Sequence, residues 1–108
     1  MSYDEELAER VRDVLDTTGE VSERKMFGGL AFMVGGNMAC GVVKDELMLR
    51  LGPEGAEAAL SEPHVREMDF TGKASRTMVF VEPDGLVGPE LARWVSESVS
   101  YAASLPPK

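Results

Sequence analysis

The chain has 108 residues, 44% of them hydrophobic, with 11 Lys and Arg against 19 Asp and Glu for a net charge of −8. This length predicts one domain that folds without a disulfide or a metal, and the negative charge disfavours direct DNA binding, which depends on phosphate neutralisation. The sequence has a single cysteine, Cys40, and its N-terminus has neither a basic start nor an apolar leader. It also has no apolar run of the roughly 20 residues that span a membrane, so we expect a cytoplasmic protein without membrane attachment.

The first predicted element is an amphipathic helix near the N-terminus. Ser2 and Glu5 form a capping-box pattern, and Gly19 can take the left-handed conformation that ends a helix. Apolar residues recur at helical spacing between these signals, so one stripe is predicted to pack inward. The stripe consists of Tyr3, Leu7, Val11, Val14 and Leu15.

Consecutive strands joined by tight turns are predicted from Val21 to Leu51. Val21 to Phe27 is predicted as an edge strand, because charged residues interrupt its apolar pattern. The Gly35-Gly36 pair permits the positive φ of a hairpin turn, so Leu30 to Val34 should pair with Met38 to Val43. The strand that follows alternates, with Leu47, Leu49 and Leu51 on the core side.

The second half of the chain predicts a helix, a strand and a last helix. Gly52-Pro53-Glu54 begins a short helix that Pro63 stops. The polar stretch from His64 to Arg76 is predicted as a loop with a brief strand around Met68 to Phe70. Thr77 to Val81 is a predicted strand, and Gly88-Pro89-Glu90 opens the last helix.

The order of these elements predicts an α+β two-layer sandwich. It consists of one mostly antiparallel sheet of about five strands with helices on one face, in the order helix, four strands, short helix, strand, helix. The alternation leaves the opposite sheet face without a predicted cover.

That opposite face is predicted to be apolar. Met33, Met48 and Met78 are out of phase with the leucines, and with Phe80 they are candidate partner-binding residues. Exposed apolar patches mark partner surfaces, and methionine adapts to several shapes. The alternative is that the second helix or the long loop covers this face and methionine only fills the core.

A second candidate surface is basic. Its candidate residues are scattered in sequence: Arg24, Lys25, Arg50 and Arg76. The hypothesis is that the fold brings them together in a small patch that binds an acidic protein segment or nucleic acid. The alternative is a solvated strand face with local ion pairs.

No catalytic, cofactor or metal site is predicted. Cys40 has no basic neighbour in sequence to activate its thiol, and His64 is the single histidine. Asp45 and Glu46 are adjacent, so they should point in different directions. A strand rather than a helix follows Gly28-Gly29, which favours a turn over a phosphate-binding loop.

The order of several motifs resembles the N-terminal domain of the TfoX/Sxy family of competence regulators. These motifs are Met26-Phe27-Gly28-Gly29, the hairpin from Phe32 to Met38, the strand from Asp45 to Arg50, and Leu91-x-x-Trp94-Val95. The resemblance implies a secretion-chaperone-like α+β fold, a link to transcriptional regulation of bacterial DNA uptake, action with a transcription factor, and no established catalytic residues. Full-length members carry a second, helical domain, so a chain ending at Lys108 is expected to be a stand-alone copy of the first.

The resulting expectation is a non-enzymatic interaction domain without a cofactor. Its expected partner is a protein, such as a component of the transcription machinery, or a second copy of the chain in a homodimer. The alternative is a small-ligand or nucleic-acid binding module that uses the basic patch.

Overall fold

The computed structural model describes residues 3–16, 21–26, 28–68 and 76–106, with only the main chain of Met26. The element order confirms the predicted α+β class. In chain order the elements are α1 (Glu5–Leu15), β1 (Val21–Met26), β2 (Gly29–Val34), β3 (Asn37–Val43), β4 (Glu46–Arg50), α2 (Gly52–Leu60), β5 (Val65–Glu67), β6 (Met78–Val81), a 3-10 turn (Pro83–Leu86) and α3 (Glu90–Ala103).

The strands of the described ranges form one open antiparallel sheet in the order β1-β2-β3-β4-β6-β5. β1 is an edge strand, as predicted. Gly35 and Gly36, with φ of 59° and 85°, connect β2 to β3 in the predicted hairpin. The β2–β3 register shifts between Phe32 and Met33, so β3 contains one extra residue, Ala39, which forms a bulge.

One predicted detail is wrong in position. The helix cap is Asp4 rather than Ser2: Asp4 is extended, and its Oδ1 accepts from the Leu7 backbone N–H at 3.1 Å. A brief strand that was not predicted lies at Val65–Glu67, where pairing with β6 places Arg66 opposite Phe80. Ser2, Gly19 and the end of the predicted strand from Met68 to Phe70 lie outside the described residues.

All three helices pack on one face of the sheet and build the main core with it. α1 contributes the predicted Leu7, Val11 and Leu15, and α3 contributes Leu91, Trp94 and Val95 around the sheet residue Phe32. Alternate residues of the central strands point into this layer because successive strand residues face opposite sides. The sheet members of this core are Leu30, Phe32, Cys40, Val42, Leu47, Leu49, Val79 and Val81.

Candidate functional site

The sheet face opposite the three described helices, called the open face below, collects a separate apolar cluster. Its buried members are Ala31, Met38, Val43, Met48, Met68 and Phe80, and Met33 and Met78 pack against them half-buried. The register therefore brings the predicted set together, since Met33, Met48, Met78 and Phe80 all lie on this face.

The open face is nevertheless not a large exposed patch. Met48 is only 1% exposed and Phe80 only 3%, whereas the exposed large hydrophobic residues of the described ranges are Leu60 and Val87. Met68, from the segment predicted as the long loop, is one of the buried residues that fill this face. The predicted cover from α2 is wrong, because Ala56 and Ala59 of that helix pack into the main core.

A charged pair lies over part of the open face. The Arg66 guanidinium lies 4.6 Å from the centre of the Phe80 ring. It also makes a bidentate ion pair with the Glu46 carboxylate, in which Nε donates to Oε2 at 2.9 Å and Nη2 donates to Oε1. The Glu46 side chain is only 16% exposed, so the pair closes the apolar face with polar atoms.

Gly41 makes room for the central methionine of this face. A Cβ at Gly41 would lie 2.9 Å from Met48 Cε and 2.8 Å from the Leu30 carbonyl oxygen. Gly41 pairs with Met48 across β3 and β4, so the missing side chain leaves a space that the Met48 methyl group occupies.

The predicted basic residues do not converge on one surface. Arg24 lies opposite Ala31 on the open side of β1, whereas Lys25 lies opposite Leu30 and so points to the helix side. Arg50 is half-buried at the end of β4, with its guanidinium 5.9 Å from the Tyr101 ring centre. Arg76 is exposed in the bend before β6, at the other side of the sheet from β1.

The Met26-Phe27-Gly28-Gly29 motif forms the connection from β1 to β2. Met26 pairs with Gly29, and Gly28 takes φ of 71° in the turn. A Cβ at Gly29 would collide with the Val42 carbonyl oxygen of β3. The described part of the motif is therefore explained by turn geometry and close backbone packing, and Phe27 lies outside the described residues.

The candidate reactive residues lie in very different environments. Cys40 is fully buried, and this burial raises the pKa of its thiol to about 12, although a hydrogen bond with the Ser98 side chain acts in the opposite direction. Such a thiol is protonated at neutral pH and is a poor nucleophile. His64 is exposed at φ of 68°, and its carbonyl accepts from the Glu82 N–H at 2.8 Å.

Shallow cavities lie at the margins of the described part of the fold. One of about 240 Å³ is lined by Asp4, Glu6, Leu7, Arg10, Asp45, Pro83 and Leu86, and Arg10 Nη2 donates to the Leu86 carbonyl at 2.6 Å across it. Another, of about 300 Å³, lies between the start of β1 and the β2–β3 turn, lined by Val21, Ser22, Gly35 and Gly36. Both are at or below the lower limit of ordinary ligand sites.

Sequence reasoning missed the charged contacts that connect distant elements. Arg12 of α1 binds the Glu23 carboxylate of β1 through Nε at 2.7 Å and Nη2 at 2.8 Å, which lowers the pKa of Glu23. Arg93 of α3 contacts Glu62, which follows α2, and lies 4.1 Å from the Trp94 ring centre. Its pairs with Glu90 and Glu97 lie within α3 at helical spacing and were readable from the sequence, whereas Arg12–Glu23 and Arg93–Glu62 are identifiable only from the fold.

Across the described ranges, no group of three or more His, Cys, Asp or Glu side chains is arranged to hold a metal ion. Over the same ranges, no helix has the length and apolar character needed to cross a membrane.

Comparison with known proteins identifies the chain by family. No curated protein and no solved structure matches it significantly. The family model for the TfoX N-terminal domain, however, matches residues 13–102, which include every strand and most of the helices described above. The chain therefore belongs to the TfoX N-terminal domain family.

Proposed function

We propose that this chain is a non-enzymatic regulatory domain that acts in the bacterial cytoplasm by contacting a protein partner through its open face. Met33 and Met78 carry the proposal: both belong to the apolar cluster of that face, yet both keep part of their surface accessible. The regulatory part is supported by membership of the TfoX N-terminal domain family, together with the resemblance to competence regulators described above.

The accessible methionines lie toward the same end of the sheet. Met33 pairs with Met38 beside the β2–β3 turn, and Met78 pairs with Arg50 at the end of β4. Both positions are at the same end of the sheet, because β3 and β4 are antiparallel and the start of β3 therefore lies beside the end of β4. Methionine is flexible and polarizable, so a partner could bury both side chains without rearranging the buried Met48 and Phe80 of the same face.

The chemistry of the described side chains supports an interaction role over catalysis. Cys40, the single thiol, lies in the core with a pKa of about 12, and an unpaired, buried cysteine is typical of a reducing compartment. The basic alternative is weakened by the register, which directs Arg24 and Lys25 to opposite sides of β1.

The test removes the accessible apolar surface while retaining side-chain length. A Met33→Gln, Met78→Gln variant would be compared with a Leu60→Gln, Val87→Gln variant, which changes the exposed hydrophobic residues elsewhere. A partner would be crosslinked to the wild type in its native cytoplasm, purified, and titrated against each protein after circular dichroism confirms folding. We expect the methionine variant to bind about tenfold more weakly, because losses above 1 kcal/mol mark the residues that dominate an interface.

Three outcomes would contradict parts of this proposal. Equal partner binding by both variants would exclude the open face as the contact. A monomer by light scattering at high concentration would remove the homodimer form of the proposal. A salt-sensitive mobility shift with DNA would favour the nucleic-acid alternative, because counterion release makes such binding fall steeply with salt.

A further inference from the structure

The outer edge of β1 is the longer free edge of the sheet. Within the described residues β1 pairs only with β2, and Ser22 to Lys25 are all exposed. Alternate residues of such an edge direct their N–H and C=O groups away from the sheet, where another strand can pair with them. The opposite edge, β5, has only three residues, and its Arg66 is already bound to Glu46.

The charge of the β1 edge is positive on an acidic protein. Glu23 is exposed, but its carboxylate is bound by both Nε and Nη2 of Arg12. Arg24 and Lys25 make no ion pair with any described residue. The outer surface of the neighbouring α1 is mostly acidic, with Glu5, Glu6 and Glu9 exposed, so an acidic partner is repelled there and attracted to β1.

The same charges oppose pairing of β1 with its own copy. In such a dimer, the two β1 strands run antiparallel and are related by a two-fold axis perpendicular to the sheet. The residue at that axis must then lie opposite the same residue of the second copy. In registers centred on Arg24 or Lys25, that residue carries a positive charge that is not ion-paired among the described residues. Like charges directly opposite each other destabilise a strand pair, so these registers of a homodimer are disfavoured.

A recess at the start of β1 adds an apolar and shape-dependent element. The cavity of about 300 Å³ lies between Val21, Ser22 and the Gly35-Gly36 turn, at the start of β1, and a Cβ at Gly35 would meet no atom within 4 Å. Met33, which pairs with Ser22, is half-buried next to it. A side chain from an added strand could therefore enter this recess.

We infer that the outer edge of β1 is a docking strand for an extended, acidic segment of a protein partner, which adds antiparallel to the sheet. Two consecutive acidic residues of that segment lie opposite Lys25 and Arg24, and an apolar residue a few positions later enters the recess at Ser22 and Gly35. Backbone hydrogen bonds supply affinity, and the alternating side chains supply specificity, as in other strand-addition complexes. The inference names the chemistry of the partner and rests on the interaction role proposed above.

The experiment uses a fluorescein-labelled peptide of sequence Thr-Glu-Glu-Thr-Val-Leu-Thr and fluorescence anisotropy with the whole chain. The matched peptide carries Lys-Lys in place of Glu-Glu, and a third peptide carries N-methyl groups on alternate amides. We expect the acidic peptide to bind at least about tenfold more tightly than the other two, because only it supplies both complementary charge and a free hydrogen-bonding edge.

The protein variants test the location of that binding. Arg24→Glu with Lys25→Glu should weaken binding about tenfold, whereas Lys44→Glu with Arg76→Glu, which changes the net charge equally at exposed sites outside β1, should leave it unchanged. Equal loss in both variants, or equal binding of the N-methylated peptide, would reduce the effect to general electrostatics and overturn the inference. Tighter, steeply salt-dependent binding of single-stranded oligothymidine would overturn it in favour of nucleic acid.

One comparison separates this inference from the proposed function. The Met33→Gln, Met78→Gln variant should bind the native partner more weakly than the wild type does. If the Arg24→Glu, Lys25→Glu variant binds that partner with unchanged affinity, and the acidic peptide does not bind the wild type, the docking strand is excluded while the open-face contact stands. If neither variant binds the partner more weakly, both proposals fail.

Discussion

The two faces of the sheet are buried by different means. On the helix side, leucine, valine and phenylalanine side chains are enclosed by three helices, and Phe32, Leu47 and Leu49 have no exposed surface. On the open face, Phe80 belongs to a cluster rich in methionine that includes Met68, and the Arg66 guanidinium, paired with Glu46, lies 4.6 Å from the Phe80 ring centre. One alternating sheet thus has a rigidly enclosed face and an adaptable face, which is the reason for placing partner binding on the second.

The largest expected effect compares the two phenylalanines that occupy opposite faces. Phe32→Ala should destabilise the protein by about 3–5 kcal/mol, because the helices around Phe32 limit collapse of the cavity left behind. Phe80→Ala should cost less, by roughly 1 kcal/mol or more, because Met48 and Met68 can move into the space. Urea unfolding of both variants measures this difference.

Equal losses at these two positions would break the comparison, since they would show that the open face is packed as rigidly as the helix side. Phe32→Leu and Phe80→Leu are the matched controls. They remove less volume at each site, so both should lose less free energy of unfolding than the alanine variants. Phe32→Leu should still lose more than Phe80→Leu, by a smaller margin.

The next largest expected effect is a pH dependence of stability, which arises because water is excluded from the helix-side core around Cys40. Burial raises the pKa of its thiol from 9.0 to about 12, so above pH 9 the unfolded chain releases a proton that the folded chain retains. Alkaline pH therefore favours unfolding, and this one group lowers the free energy of unfolding by up to about 1.4 kcal/mol per pH unit between pH 9 and 12.

Cys40→Ala isolates that contribution because it leaves every other titrating group in place. Urea unfolding from pH 7 to pH 10 should give a less steep loss of stability in Cys40→Ala than in the wild type. Parallel pH curves for the two proteins would show that water reaches the thiol in the folded state. Its reaction with a thiol reagent would then be fast without unfolding.

Strand alternation and turn residues were enough to predict the fold class and to predict which side chains lie on the open face. The alternation of Leu47 and Leu49 with Met48 assigned opposite faces, and the Gly35-Gly36 pair identified the hairpin. The same alternation separates Arg24 from Lys25, so a single convergent basic patch was already inconsistent with the predicted strand. The cap at Asp4 was missed because Ser2 offered the more familiar sequence pattern.

Burial of the open face by the long loop was one of two alternatives, and the sequence could not decide between them because the contacts involved are distant in sequence. Met68 and Arg66 lie in a polar stretch without helical or strand periodicity, and a three-residue strand gives almost no periodic signal. Only pairing with β6 places Arg66 over Phe80 and within reach of Glu46. The candidate docking edge likewise depends on Arg12, which forms an ion pair with Glu23 from another element and also contacts Glu9.

The smallest expected effect concerns the charged cover of the open face. Arg66→Gln should cost about 1 kcal/mol or less, because the Arg66 side chain is 47% exposed and exposed ion pairs contribute little. Arg66→Lys should cost nearly as much, since lysine retains the charge but loses both the bidentate pairing with Glu46 and the planar contact with Phe80. A double-mutant cycle with Glu46→Gln, measured by urea unfolding at low and high salt, separates the salt-sensitive ion pair from the ring contact. If Arg66→Lys is neutral, charge alone covers this face; if it is costly at both salt concentrations, the geometry of the guanidinium over Phe80 does so.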